Sequence, residues 1–303
     1  MDDIRVAAVI MQSVVGNTQD NLSRMDFFVR QAADQEVNLV CFPEMSITGY
    51  SIRKTIRKYA EPIPGPSTEA VARMARENHI LILAGLLEVN ERDSFTISHI
   101  VVAPHGLIGI YRKLHLGPPE QHLYQPGDEL PIFQYGGTAF GIELCYDAHF
   151  PELSTLLALK GAEVLFLPHA SPRGSPKEKY NHWLRYLPAR AYDNSVFLVT
   201  CNQVGDGGAG LTFPGVALVL DPKGQVMVER TGDDEGMIVA DLRSHDFTYV
   251  RNHRMRFFLP HRRHWCLSRS DSPLASDRTL PESLFHRCLL QLRSRLSCRS
   301  PHH

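Results

Sequence analysis

Three short apolar runs in this chain each stop at a residue that carries chemistry. Residues 37–42 lead through Pro43 to Glu44, residues 107–111 lead through Arg112 to Lys113, and residues 138–144 lead to Cys145. Each run is short for a helix, and turn formers follow it: Thr48-Gly49-Tyr50, Gly117-Pro118-Pro119 and Phe150-Pro151. The pattern reads as β-strands that open onto loops. In sheets covered by helices, functional side chains collect where strands stop. A carboxylate, an ammonium and a thiol at three such ends can therefore converge, however far apart they lie in sequence.

The rest of the chain fits the same plan. Residues 4–11 read as a buried strand. Residues 17–36 carry Leu22, Met25, Phe28, Val29 and Ala32 at helical spacing, with Asn17 and Thr18 as caps. A helix is expected over 68–79, strands over 80–89, 96–103 and 107–112, and a hairpin over 132–144 turning at Tyr135-Gly136-Gly137. A helix over 151–160, a strand over 163–167, one helix over 177–193 and a strand over 195–202 follow. Residues 215–220, 225–229 and 237–241 read as a closing meander. This mixture of βαβ units and hairpins predicts an α/β fold with helices packed on sheets. Periodicity leaves open whether there is one sheet or two facing sheets.

Composition narrows the function classes. At 303 residues and 43% hydrophobic, the chain can bury the core of a large α/β domain. A formal net charge of −1 gives no reason to expect nucleic acid or an anionic membrane as partner. The six cysteines include no C-x-x-C pair, which reads as reduced thiols. No run approaches the ~20 apolar residues of a membrane span, and the start lacks a signal-peptide pattern, so a cytoplasmic protein is expected. Fifteen histidines form no H-E-x-x-H or comparable cluster, so no metal is expected. The glycine-rich residues 205–210 precede a strand rather than a helix, and read as a connecting loop instead of a phosphate cradle.

Cys145 is the candidate nucleophile. A helix-like segment opens at Pro151-Glu152-Leu153, and a thiol at the head of a helix is expected to gain thiolate character from exposed N–H groups and the helix dipole.

Phe42-Pro43-Glu44, Tyr111-Arg112-Lys113-Leu114-His115-Leu116 and Gly141-Ile142-Glu143-Leu144-Cys145-Tyr146-Asp147 with Phe150-Pro151-Glu152 resemble the motifs of the nitrilase, or carbon–nitrogen hydrolase, superfamily. The resemblance spans residues 4–266. It implies a four-layer α-β-β-α sandwich, with the catalytic domain placed at residues 1–267 and protomers that pair as a homodimer or larger homo-oligomer. It implies a catalytic set of Glu44, Lys113 and Cys145, with Glu120 as a second active-site glutamate and no cofactor. Glu44 would act as general base, Lys113 would stabilise the oxyanion, and Cys145 would carry a thioester. Tyr50, His115, Tyr146, His169 and Arg173 are expected to line or support the substrate pocket. Arg173 would clamp a substrate carboxylate.

The family's true nitrilases commonly carry Trp-Glu after the nucleophile. Tyr146-Asp147 resembles instead the amidase and N-carbamoyl branches. The leading expectation is hydrolysis of a small linear carboxamide with release of ammonia, and the alternative is an N-carbamoyl amine or amino acid amidohydrolase. A nitrilase, or a catalytically silent binding protein on the same scaffold, ranks behind these. Residues 268–303 form a basic, Ser/Arg-rich tail with Leu284, Cys288, Leu292 and Leu296 in helical register, read as a mobile tail or dimer accessory.

Overall fold

The computed structural model describes residues 1–90 and 93–263, and the elements named below lie within the unit Met1–Pro260. The tail expected over 268–303 lies outside the described residues. In chain order the strands are β1 (Ile4–Ile10), β2 (Leu39–Cys41), β3 (Leu81–Val89), β4 (Phe95–Ala103), β5 (Gly106–Arg112), β6 (Phe133–Tyr135) and β7 (Thr138–Ile142). They continue with β8 (Val164–His169), β9 (Phe197–Asn202), β10 (Gly205–Asp206), β11 (Thr212–Phe213), β12 (Gly215–Leu220), β13 (Val226–Gly232) and β14 (Gly236–Leu242). The helices are α1 (Thr18–Asp34), α2 (Pro66–Asn78), α3 (Pro151–Leu159), α4 (Pro176–Trp183), α5 (Leu187–Asn194) and α6 (Ser244–Arg251).

Two six-stranded sheets form, in the orders β14-β1-β2-β3-β4-β5 and β13-β12-β9-β8-β7-β6. Strand β1 shows why both faces need cover. Val6, Ala8 and Ile10 join the core between the sheets, while Ala7 and Val9 join a second core with Leu22, Met25, Phe28 and Val29 of α1 and Val71 and Met74 of α2. A strand that is apolar at both parities must be buried on both faces. On the other sheet α4 packs on β12 and β13, and α5 packs on β9 and on α3. The result is the α-β-β-α sandwich.

Strand direction places the loops. β1, β2 and β3 are parallel. β4 reverses and β5 reverses again, so β5 points the same way as β2. The segments leading to Glu44 and Lys113 therefore leave the first sheet at one end. In the second sheet β7, β8 and β9 are parallel, so Cys145 and Ala170 also share an end.

The structure departs from two expectations. The single helix over 177–193 is two helices, interrupted at residues 184–186, and Pro188 stands in the first turn of α5. Proline has no N–H to continue the preceding helix but suits a helix start. The closing meander is also broken. β12 and β13 pair in the second sheet, whereas β14 crosses to the first and runs antiparallel to β1, from Ile4↔Leu242 to Ile10↔Gly236. Ile238, Ala240 and Leu242 thereby enter the core between the sheets. A period of two identifies a strand but not its partner.

Candidate active site

Glu44 leaves β2 in a tight turn that the neighbouring strand must accommodate. A Cβ on Gly85 of β3 would lie 2.3 Å from the Met45 nitrogen, so only glycine permits this approach. The turn is held by Ser46 Oγ, which accepts the Gly85 N–H at 3.1 Å, and by Thr48 Oγ1, which accepts the Leu87 N–H at 3.1 Å. The Glu44 carbonyl accepts from Gln203 Nε2 at 2.8 Å. Lys113 is fixed in a similar way: its carbonyl accepts the Gly127 N–H at 2.8 Å, and a Cβ on Gly127 would collide with the Arg112 carbonyl oxygen at 2.5 Å.

These two side chains meet with no exposed surface. Lys113 Nζ donates to Glu44 Oε1 at 2.8 Å and to Glu120 Oε1 at 2.9 Å. Glu120 Oε1 also accepts from Tyr50 OH at 2.8 Å, and Glu120 Oε2 from the Gly117 N–H at 2.7 Å. Burial opposes the Lys113 charge, but the flanking carboxylates of Glu44 and Glu120 outweigh it and hold the ammonium well above the usual lysine range. Burial pushes the Glu44 carboxyl above the ordinary carboxylate range, against the pull of Lys113.

Cys145 opens a 3-10 turn, Cys145–His149, with its own backbone in the left-handed region at φ 47°. A non-glycine residue there is strained, and strain of this kind aims a side chain. Asp147 supplies the restraint. Its Oδ2 accepts the Leu144 N–H at 2.9 Å and Tyr111 OH at 2.8 Å, and its Oδ1 accepts the His115 N–H at 2.7 Å and lies 2.9 Å from His115 Nδ1. One fully buried carboxylate thus ties the turn bearing the thiol to the segment bearing Lys113.

The loop after β8 completes the set. The Ala170 N–H donates to Glu44 Oε2 at 2.9 Å. The same N–H also favours the charged form of the Cys145 sulfur, which puts thiol and carboxylate around one donor. The expected thiolate does not follow, however. Burial pushes the Cys145 thiol up and the Glu44 charge pushes it further, more than Lys113 and the Ala170 N–H pull it down. The helix head expected beside Cys145 is a five-residue 3-10 turn, and α3 starts only at Pro151. The helix dipole acts within about one turn, so it does little for this sulfur. Together these influences favour the neutral thiol.

The structure brings Glu44, Lys113, Glu120 and Tyr50 into one hydrogen-bonded cluster beside Cys145. His115 turns toward Asp147 and stacks on Phe150, with ring centroids 3.8 Å apart. With Tyr146, Leu116 and Tyr124 it lines a groove of about 470 Å³. His169 is buried against Trp183, its Nδ1 lies 2.6 Å from the Leu167 carbonyl, and burial holds its pKa down to about 3. Arg173 is exposed in the loop before α4, with a left-handed backbone at φ 71°. Sequence reasoning missed the tie made by Asp147, although this residue stands within the cysteine motif. It also missed the Ala170 N–H, because a backbone donor leaves no mark in a sequence. Among the described residues, no group of three or more His, Cys, Asp or Glu side chains is placed to hold a metal ion.

A family model described as carbon–nitrogen hydrolase matches residues 5–252. The chain is 34% identical over 262 residues to a nitrilase of Pyrococcus abyssi, covering 83% of this chain and 93% of that one. It is 31% identical over 249 residues to an (R)-stereoselective amidase of a Pseudomonas species, covering 79% and 88%. Among solved structures, an amidase from Nesterenkonia superposes with a TM-score of 0.76 at 26% identity, covering 88% of this chain and 95% of that one. A mutant of that amidase carries the acetamide moiety of fluoroacetamide covalently on its active-site cysteine.

Proposed function

The chain belongs to the carbon–nitrogen hydrolase family and is an enzyme that acts on amides, and from that premise we propose that it hydrolyses a small linear carboxamide through a thioester on Cys145, releasing ammonia. The observation that carries this reading is Lys113, one fully buried ammonium bridged at 2.8 and 2.9 Å between Glu44 and Glu120 beside a thiol. Burying three charges costs free energy that a purely structural role would avoid with apolar packing. The cysteine adduct on the Nesterenkonia amidase supports the covalent route.

Each residue's role follows from its surroundings. Cys145 rests as a thiol, so attack on the amide carbon requires proton transfer to a base, and Glu44 is the carboxylate whose charge the sulfur feels most. Burial raises the Glu44 pKa toward that of its proton donor, which suits a group that must take a proton and return it. The developing oxyanion is held by Lys113, with the Tyr146 backbone N–H as second donor. Collapse of the tetrahedral intermediate breaks the C–N bond, and Glu44 returns the proton to the departing ammonia. Water then attacks the thioester with Glu44 again as base, which frees the carboxylic acid and restores the thiol. Glu120, bonded to Lys113 and Tyr50, orients the ammonium.

The proposal extends to a reducing, cytoplasmic setting, supported by the free thiols of Cys41, Cys145 and Cys201, and to a homo-oligomer, to be read by light scattering. The chemistry is tested by assaying ammonia release from a panel of amides, N-carbamoyl compounds and nitriles, with mass spectrometry of the intact protein. An acyl adduct on Cys145, absent in Cys145→Ala, is expected with amides. Release of carbon dioxide together with ammonia would move the assignment to N-carbamoyl substrates, and unimpaired turnover by Cys145→Ala would refute the covalent route.

A further inference from the structure

A second lysine stands at this site with its charge arranged differently. Helix α4 is pinned at its start by a reciprocal cap: Ser175 Oγ accepts the Glu178 N–H at 3.3 Å, and Glu178 Oε2 accepts the Ser175 N–H at 2.8 Å. From the first turn of this helix Lys179 folds back over the loop that follows β8. Its Nζ donates to Ser171 Oγ at 2.7 Å and to the Pro172 carbonyl at 3.2 Å. That loop is itself rigid. Asn202 Oδ1 accepts the Ser171 N–H at 2.8 Å, while Asn202 Nδ2 donates to the Ser171 carbonyl at 3.0 Å and the Pro214 carbonyl at 2.8 Å.

Ser171 directly follows Ala170, whose N–H holds Glu44. The Lys179 ammonium therefore stands no more than roughly 12 Å from the base, the reach of one residue and two hydrogen bonds. It is close enough to Cys145 for the two charges to interact. An ammonium carries three donors, and two of them are used here, both on neutral oxygens. Among the described residues no carboxylate lies within ion-pair distance of Lys179. Its neighbours His169 and His182 are held toward the neutral form, first by burial and then in part by its charge. A half-buried ammonium without a counter-ion is costly, and lysines so placed are normally paired. Beside a nucleophile, the missing anion is one that the substrate can bring.

We propose that Lys179 is a specificity-determining residue, whose ammonium binds a carboxylate on the substrate while the amide carbon of the same molecule lies at Cys145. The inference rests on the proposed amide hydrolysis and deepens it, because it gives the substrate a charge and a length. That upper limit of roughly 12 Å admits a short linear amide with its carboxylate a few carbons from the reacting carbon. It gives to Lys179 the clamping role expected of Arg173, which is exposed on the same loop.

The test compares two amides of equal length, one ending in a carboxylate and one in a methyl group, in the wild type, Lys179→Met and Lys179→Arg. The expected result is that Lys179→Met lowers the ratio of kcat/KM for the carboxylated over the uncharged amide by about 10–100-fold, mostly through KM. This is the range for losing one charge-assisted hydrogen bond. Lys179→Arg should restore much of the ratio. A ratio unchanged by Lys179→Met would mean that the lysine only staples α4 to the loop, and would overturn the proposal. A second arm does not depend on turnover. Calorimetric binding of the carboxylated amide to Cys145→Ala should weaken by a similar factor in Cys145→Ala/Lys179→Met, and equal binding would overturn the proposal. If the wild type turns over no amide at all, the catalytic reading fails and this binding comparison alone decides the role of Lys179.

Discussion

Lys113 and Lys179 both interact with the charge of the Cys145 sulfur, yet the chain surrounds them in opposite ways. Lys113 lies in a closed floor between two carboxylates, and their charges more than repay its burial. Lys179 lies on a half-open rim and donates only to a hydroxyl and a carbonyl, so burial draws its pKa down with little to oppose it. A fully buried charge with counter-ions is a fixed part of the machine: it is present before any substrate arrives and cannot relax into water. A partly open charge without a counter-ion from the chain keeps the capacity to pair with an incoming anion. The difference teaches that the identity of a residue type says less about its role than the charges packed around it.

The largest effects should come from the floor. Lys113→Met and Cys145→Ala are each expected to lower amide turnover by about 10³-fold or more, because in the proposed mechanism both groups act at the reacting carbon. They should differ in stability. Cys145→Ala should unfold in denaturant near the wild-type midpoint, whereas Lys113→Met leaves Glu44 and Glu120 facing each other and should lose about 3 kcal/mol. Equal stability of the two variants would break the view of the floor as a charge cluster that depends on its cation.

Asp147→Asn comes next. An asparagine offers one acceptor oxygen, and its NH₂ would confront groups that now donate to Oδ1 or Oδ2. We expect a loss of about 2 kcal/mol in stability and a fall in kcat of about 10-fold or more, with KM little changed, as Cys145 and Lys113 lose their common tie. A KM effect without a kcat effect would assign Asp147 to the substrate side instead.

The contrast between paired and unpaired burial extends to Glu143. Its Oε1 accepts Ser154 Oγ–H at 2.6 Å, while Oε2 has no hydrogen-bond partner among the described residues. Burial raises its pKa from 4.5 to about 8. Below the lower of these values the carboxyl is protonated in folded and unfolded chains alike. Between them only the unfolded chain releases the proton, so rising pH erodes stability by up to about 1.4 kcal/mol per unit. Glu143→Gln keeps an acceptor for Ser154 and should flatten the fall in Tm over this interval. His169, held down to about 3, acts with the opposite sign. It is neutral in both states above about 6.5, and stability is lost as the pH falls below that value toward about 3.

The smallest effect is expected on the rim. Lys179→Met should change folding stability by no more than about 1 kcal/mol, since the two bonds it loses are to neutral groups at a half-exposed site. Urea midpoints measure this directly. A loss as large as that of Lys113→Met would place Lys179 with the structural charges and erase the distinction drawn here.

Much of this was legible in the order of residues. Glu44, Lys113 and Cys145 each follow an apolar run, and the turn formers beyond them mark where strands open onto loops. Alternation and helical spacing are local properties, so β1, α1 and the Gly136-Gly137 hairpin could be read without knowing their neighbours. The partner of β14 could not be read, because a strand's pattern says which face is apolar and leaves its pairing to the whole chain. Nor could the protonation of Cys145 be read, because it depends on burial and on charges contributed by β2, β5 and the loop after β8.

By itself, the sequence determined which groups exist, on which kind of element, and that three strand ends would carry a carboxylate, an ammonium and a thiol. Only the tertiary structure decided that Lys113 is neutralised by two carboxylates, that Asp147 ties the thiol's turn to the lysine's segment, and that Lys179 has no anion of its own. The physical reason is range. Propensity and pattern act over a few residues, whereas desolvation and charge pairing depend on every segment that folding brings within a few ångströms.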